Sequence, residues 1–134
     1  MKKTRHGSCH CGAVRFCADL DLGDGTSRCN CSICAKGRFW KAIVADADFQ
    51  LLSGQEMLSE YRFGSNSIAH LFCRTCGIKP FGRGRLEELG GTFYAINVAC
   101  LDDATPEELA SAPVAFEDGL NDAWDRVPAE TRHL

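Results

Sequence analysis

The stretch Cys29-Asn30-Cys31-Ser32-Ile33-Cys34, a C-x-C-x-x-C, decides how the rest of the chain is read. Upstream stands Cys9-His10-Cys11-Gly12 and downstream Cys73-Arg74-Thr75-Cys76-Gly77. Seven of the nine cysteines therefore fall into three tight groups, and only Cys17 and Cys100 stand alone. An odd cysteine count argues against a disulfide framework, and no apolar run follows the basic start Met1-Lys2-Lys3-Thr4-Arg5-His6, so a secretory signal is not expected. In a reducing, cytoplasmic compartment, clustered thiolates favour zinc.

The surrounding composition is ordinary globular material: 134 residues, 45% hydrophobic and 25% charged, with a formal net charge of -3. One domain over residues 1–134 is expected, large enough for a modest core. A sequence pI near 5.8 disfavours nucleic acid and anionic membrane as partners, and no run approaches a membrane span. Charge is uneven, +2 over residues 1–67 and -5 over residues 68–134. The excess near the central cysteines (Arg28, Lys36, Arg38, Lys41) could attract an anionic small molecule.

Alternation puts Val14, Phe16, Ala18 and Leu20 on one face of a strand, opposite Arg15, Cys17 and Asp19. Residues 21–27 read as a turn-rich connection, Trp40–Val44 and Phe49–Leu52 as strands, and Leu58–Phe63 with Ile68–Phe72 as a hairpin around Gly64-Ser65-Asn66-Ser67. Phe93–Ala99 is the most β-prone run. One short helix is expected: Thr105 caps it, Pro106 suits its first position, Glu107 and Glu108 complement its dipole, and it ends before Pro113. The tail from Gly119 has no period. The fold expected is mainly β.

A closed zinc site takes four side chains, often as two pairs on tight turns. Cys9 and Cys11 with Cys73 and Cys76 make one such set, helped by Gly12 and Gly77. Cys29, Cys31 and Cys34 are then left together, and three ligands with one open position is the pattern of a reactive zinc. The spacing alone also allows a ribbon built from Cys31, Cys34, Cys73 and Cys76, or one zinc with free thiols. A redox C-x-x-C fits less well, because it usually opens a helix within a βαβ unit.

Gly7-Ser8-Cys9-His10-Cys11-Gly12-Ala13-Val14, the central C-x-C-x-x-C and Phe72-Cys73-Arg74-Thr75-Cys76-Gly77 together resemble the glutathione-dependent formaldehyde-activating (GFA) family, with its centromere protein V/GFA-type zinc domain. Ile96-Asn97-Val98 and Leu101-Asp102-Asp103 resemble its closing strand and turn. The resemblance runs from about Gly7 to Asp103, and the tail from Val114 to Leu134 does not match. It implies a β-tent fold of small antiparallel sheets pinned by zinc. It also implies a structural site at Cys9, Cys11, Cys73 and Cys76, and a labile catalytic one at Cys29, Cys31 and Cys34. The activity implied is that of a carbon–sulfur lyase joining glutathione and formaldehyde, with a glutathione-like thiol as the partner. The alternative is a non-enzymatic zinc-binding module.

Arg28, Lys36 and Arg38 could grip the carboxylates of such a thiol. His10 is expected to point away from the metal of its neighbours, and His70 to play a hydrogen-bonded structural role. Cys100 reads as buried filler, Cys17 as facing away from the core. Phe39, Trp40 and Phe81 are candidates for a pocket wall, though such aromatics are usually core.

Overall fold

In the computed structural model, which describes residues 1–134, the first expected alternation is present. The strand β2 (Arg15–Leu20) buries Phe16, Ala18 and Leu20, with Val14 just ahead of it, and leaves Arg15 exposed. It lies between β1 (Lys3–Ser8) and β5 (Phe49–Ser53) in a three-stranded antiparallel sheet.

A seven-stranded sheet holds the rest, in the order β10 (Val114–Glu117), β3 (Thr26–Cys29), β4 (Trp40–Ala45), β9 (Gly91–Asn97), β8 (Phe81–Leu86), β7 (Ile68–Cys73) and β6 (Leu58–Tyr61). All its neighbours are antiparallel except β10, which runs parallel to β3. The fold is thus mainly β, and the hairpin expected around Gly64–Ser67 is the β6–β7 pair.

Aromatic side chains join the two sheets. Phe16 of β2 meets Phe81 of β8 edge-on at 5.7 Å, and Phe49 of β5 stacks on Tyr94 of β9 at 3.8 Å. Each such pair adds about 1 kcal/mol beyond the area it buries. A second tie comes from the turn after β9. Ser8 Oγ donates to Asp102 at 2.6 Å and the His6 N–H to Asp103 at 2.9 Å, which fastens Leu101-Asp102-Asp103 to β1.

The expected helix is α2 (Pro106–Ser111). Thr105 Oγ1 accepts from the Glu108 N–H at 3.1 Å, while Glu108 accepts from the Thr105 N–H at 3.0 Å. A second short helix, α1 (Ser32–Gly37), lies where the sequence showed only cysteine spacing. Four strands, β1, β3, β8 and β10, also departed from expectation. β1 and β3 are short runs of polar and turn-forming residues. In β8 glycines occupy the buried positions 82 and 84, so no apolar alternation is visible. Phe93–Ala99 is strand only to Asn97, whose side chain then accepts from the Ala99 N–H and starts a single 3-10 turn. No helix is long and apolar enough to cross a membrane.

Candidate metal centres

Two cysteine turns of the same design face each other. At the β1–β2 turn the Gly12 N–H donates to the Cys9 carbonyl (3.1 Å) and the Val14 N–H to Cys9 Sγ (3.3 Å). After β7 the Gly77 N–H donates to the Cys73 carbonyl (2.7 Å) and the Thr75 N–H to Cys73 Sγ (3.4 Å). Both glycines close their turn at positive φ, 82° and 78°. Cys11 Sγ thereby lies 3.7 Å from Cys9 Sγ and 3.6 Å from Cys73 Sγ, and all four sulfurs, with Cys76, are within 4.8 Å of one another. A tetrahedron with zinc–sulfur bonds of 2.3 Å has an edge of about 3.8 Å, so the donor set fits zinc. Backbone N–H groups, first that of Cys11 and then that of Ile78, hold the Cys76 thiol down to about 6, which favours the thiolate a metal needs.

The second group is local in sequence. Cys29 ends β3, Cys31 caps α1 and Cys34 lies in its first turn, with the three sulfurs within 4.8 Å of one another. The Cys31 N–H donates to Cys29 Sγ at 3.3 Å. The Cys29 and Cys34 thiols, and then the Cys34 and Ile33 amides, favour Cys31 as the thiolate, while Cys34 is pushed up by the Cys29 and Cys31 sulfurs. The Cys31–Cys34 pair therefore does open a helix, contrary to expectation. The flanking β3 and β4 are antiparallel neighbours, however, so no βαβ unit surrounds it. All nine cysteines are free thiols.

Of the three expected anion-binding residues, two approach each other. Arg28 lies half-buried with its guanidinium 5.2 Å from the centre of the Trp40 ring, and burial, then the charge of Arg38, lowers its pKa. Arg38 is exposed, adopts a left-handed conformation and donates to the His133 carbonyl at 2.9 Å. Lys36 is exposed, in the last turn of α1. His10 is exposed and outside both thiol groups. Cys100 is buried, and burial pushes its thiol up to about 12.

Phe81 belongs to the core, whereas Phe39 borders the three thiols: its N–H donates to the Cys34 carbonyl at 3.0 Å. Its ring carries the Lys79 ammonium at 4.1 Å, and that ammonium lies 2.7 Å from His70 Nδ1. The tail from Gly119, which shows no period in the sequence, packs on the same site. Asn30 Nδ2 donates to Asp118 (2.9 Å), and the Leu120 N–H donates to Asn30 Oδ1 (2.9 Å). A side chain at Gly119 would sit 2.5 Å from Cys29 Sγ. Two surface clefts of about 160 and 330 Å³ contain no cysteine, so the thiol chemistry lies outside them.

The profile of the glutathione-dependent formaldehyde-activating enzyme family matches residues 4–117. The chain belongs to the GFA family. The match extends past the span expected from the motifs and includes β10, which lies beside the strand carrying Cys29. A Halomonas elongata protein, provisionally named a glutathione-dependent formaldehyde-activating enzyme, is 36% identical over 78 residues. That alignment covers 52% of this chain and 50% of the relative, so the chain spans about half the length of the curated GFA relative it matches. A crystal structure of a Rhodobacter sphaeroides protein superposes with a TM-score of 0.69 at 33% identity, covering 82% of this chain and 99% of that one.

Proposed function

We propose that this GFA chain, as a single domain over residues 1–134, is a zinc enzyme of carbon–sulfur lyase type resembling S-(hydroxymethyl)glutathione synthase. It acts on glutathione or another thiol adduct. The observation that carries the reading is the division of seven sulfurs into a closed set of four and a set of three. Cys9, Cys11, Cys73 and Cys76 would hold a structural zinc. Cys29, Cys31 and Cys34 would hold a second, labile one with a free coordination position. Bound there, zinc supplies a Lewis acid that lowers the pKa of a substrate thiol.

The chain's own residues do the rest. In this reading Cys29, Cys31 and Cys34 fix where a thiol docks, Phe39, bonded to the Cys34 carbonyl, walls one side, and Arg28 and Arg38 pair the thiol's carboxylates. Lys36 would meet only the outermost part of such a ligand. Holding thiol and aldehyde side by side replaces a bimolecular encounter by a positioned one, with effective molarities on the order of 10⁵ M in favourable cases. Free thiolates call for a reducing compartment, so we place the protein in the cytoplasm, with a small thiol as its partner and neither nucleic acid nor membrane. A second reading, a non-enzymatic zinc module that binds a protein, draws support from the exposed Leu120, Trp124 and Val127 of the tail.

Native mass spectrometry of the protein and of Cys29→Ser, with and without glutathione, tests the division. Two zinc ions are expected in the wild type, one in the variant, and a glutathione adduct only where two are bound. Turnover of glutathione with formaldehyde and larger aldehydes, followed by NMR, then separates enzyme from binding module. A single zinc in both proteins would overturn the open site.

A further inference from the structure

Lys79 is a half-buried cation with no carboxylate partner: none of the molecule's ion pairs includes it. Buried charge is normally paired. Its ammonium lies 4.1 Å from the centre of the Phe39 ring, and the Phe39 N–H is bonded to the Cys34 carbonyl, so Lys79 borders the three thiols, with burial as the main cause that lowers its pKa. A second lysine whose charge reaches Cys34, Lys41, is already bonded to Glu117 at 2.5 Å. Of these two lysines, Lys79 is therefore the one without a carboxylate partner, and unlike Arg28 and Arg38 it lies on the Phe39 side of the site.

Its placement is tightly determined. The Lys79 carbonyl accepts from Asn97 Nδ2 at 2.9 Å, which fixes the backbone between the second cysteine turn and β8. The ammonium rests over Phe39, and Phe39 is bonded to the Cys34 carbonyl. Its side chain runs over Gly82 of β8, where a Cβ would lie at ordinary contact distance, 3.8 Å, from Lys79 Nζ. His70, stacked on Phe63 at 5.5 Å, offers Nδ1 to Nζ. Burial, then the Lys79 charge, pushes His70 down to about 4, so near neutrality the imidazole is an acceptor. An ammonium has three N–H donors, and His70 takes one.

We propose that Lys79 receives the anionic oxygen of a thiol–aldehyde adduct held at Cys29, Cys31 and Cys34. The inference rests on the thiol-adduct reading above and names the residue that acts on its second reactant. As the substrate sulfur forms a bond to the aldehyde carbon, the carbonyl π pair moves onto oxygen. Lys79 stabilises that charge by a charge-assisted hydrogen bond, and the proton released by the thiol ends on the oxygen. In reverse the hydroxyl loses its proton, the carbonyl re-forms and the carbon–sulfur pair returns to sulfur. Nothing is oxidised or reduced in either direction.

The test uses the protein as purified, with Lys79→Met and Lys79→Arg. Alkylation of Cys31 and Cys34 by iodoacetate relative to iodoacetamide, read by peptide mass spectrometry, reports local charge independently of turnover. Lys79→Met is expected to lower that ratio about 5-fold, and Lys79→Arg and the remote control Lys3→Met to preserve it. In turnover, Lys79→Met is expected to lose on the order of 10²-fold in kcat, with KM for the thiol and the zinc count unchanged and partial rescue by arginine. An unchanged alkylation ratio in Lys79→Met overturns the placement of charge. A kcat loss explained by zinc loss, or no kcat loss, overturns the role toward oxygen. A wild type that turns over no thiol–aldehyde pair, while keeping its Lys79-dependent ratio, overturns the underlying reading and with it that role.

Discussion

Two glycines mark the difference between a residue that serves the fold and one that serves the site. Gly54 adopts a φ of 90°, and a Cβ there would lie 2.3 Å from the Ala13 carbonyl oxygen, a backbone atom that cannot move away without disturbing the Cys9–Cys11 turn. Gly54→Ala combines left-handed strain with overpacking and should cost about 3 kcal/mol, read as a lower urea midpoint at unchanged slope. At Gly119 the clash is with Cys29 Sγ and with the Trp124 ring, 2.6 Å away. Something on the tail or at the thiol must give. Gly119→Ala is expected to weaken the metal bound by Cys29, Cys31 and Cys34 about 10-fold, through a ligand displaced from its geometry, and to leave the other metal in place. Zinc stoichiometry during titration with a chelator checks this; equal weakening of both metals would contradict it.

Among the elements, α2 is one whose stability should depend on pH. Glu108 closes its capping box and also takes the guanidinium of Arg5, a buried side chain of β1, so one carboxylate ties the helix to the small sheet. The Arg5 hydrogen bond first, and the Thr105 N–H second, hold Glu108 down to about 2 against an ordinary value of 4.5. A folded pKa below the unfolded one stabilises the protein above the unfolded value, and that contribution is lost as pH falls from about 4.5 toward about 2. The wild-type melting temperature should therefore drop more steeply over that range than that of Glu108→Gln, and parallel profiles would refute the link.

Such elements also separate what the residues announced from what they hid. The inward face of β2, the β6–β7 hairpin and the cap of α2 were legible because each is encoded by near neighbours: alternation, a turn sequence, a capping pair. β8 was not, because two of its three buried positions are glycines, and β10 was not, because a four-residue parallel edge strand depends on β3 for its register. The cysteine groups were visible through their spacing. The Lys79–His70–Phe39 contact and the docking of Gly119 on Cys29 draw on separate elements, and no local pattern in the chain signals them.

For the whole molecule, the two thiol groups differ in what they span. The first joins the β1–β2 turn of the small sheet to the end of β7 in the large one, closing a long loop between Cys11 and Cys73. Closing it in the unfolded chain has a large entropic cost, so a metal that binds only the closed form adds its binding energy to folding. The second group lies within one strand end and one helical turn, so a metal held there would close no long loop of its own. With three protein ligands against four, it should also bind more weakly. Chelator titration should therefore proceed in two steps. In the first, one zinc leaves with thiol binding and turnover lost while the far-UV circular dichroism is unchanged. In the second, the remaining zinc leaves together with the β signal. Cys34→Ser should start at the end of the first step, and Cys73→Ser should resemble the end of the second. A single concerted step would mean that the two centres stabilise each other through the segment they share, Cys73 to Lys79, and that the scaffold and the reactive site are not separable parts.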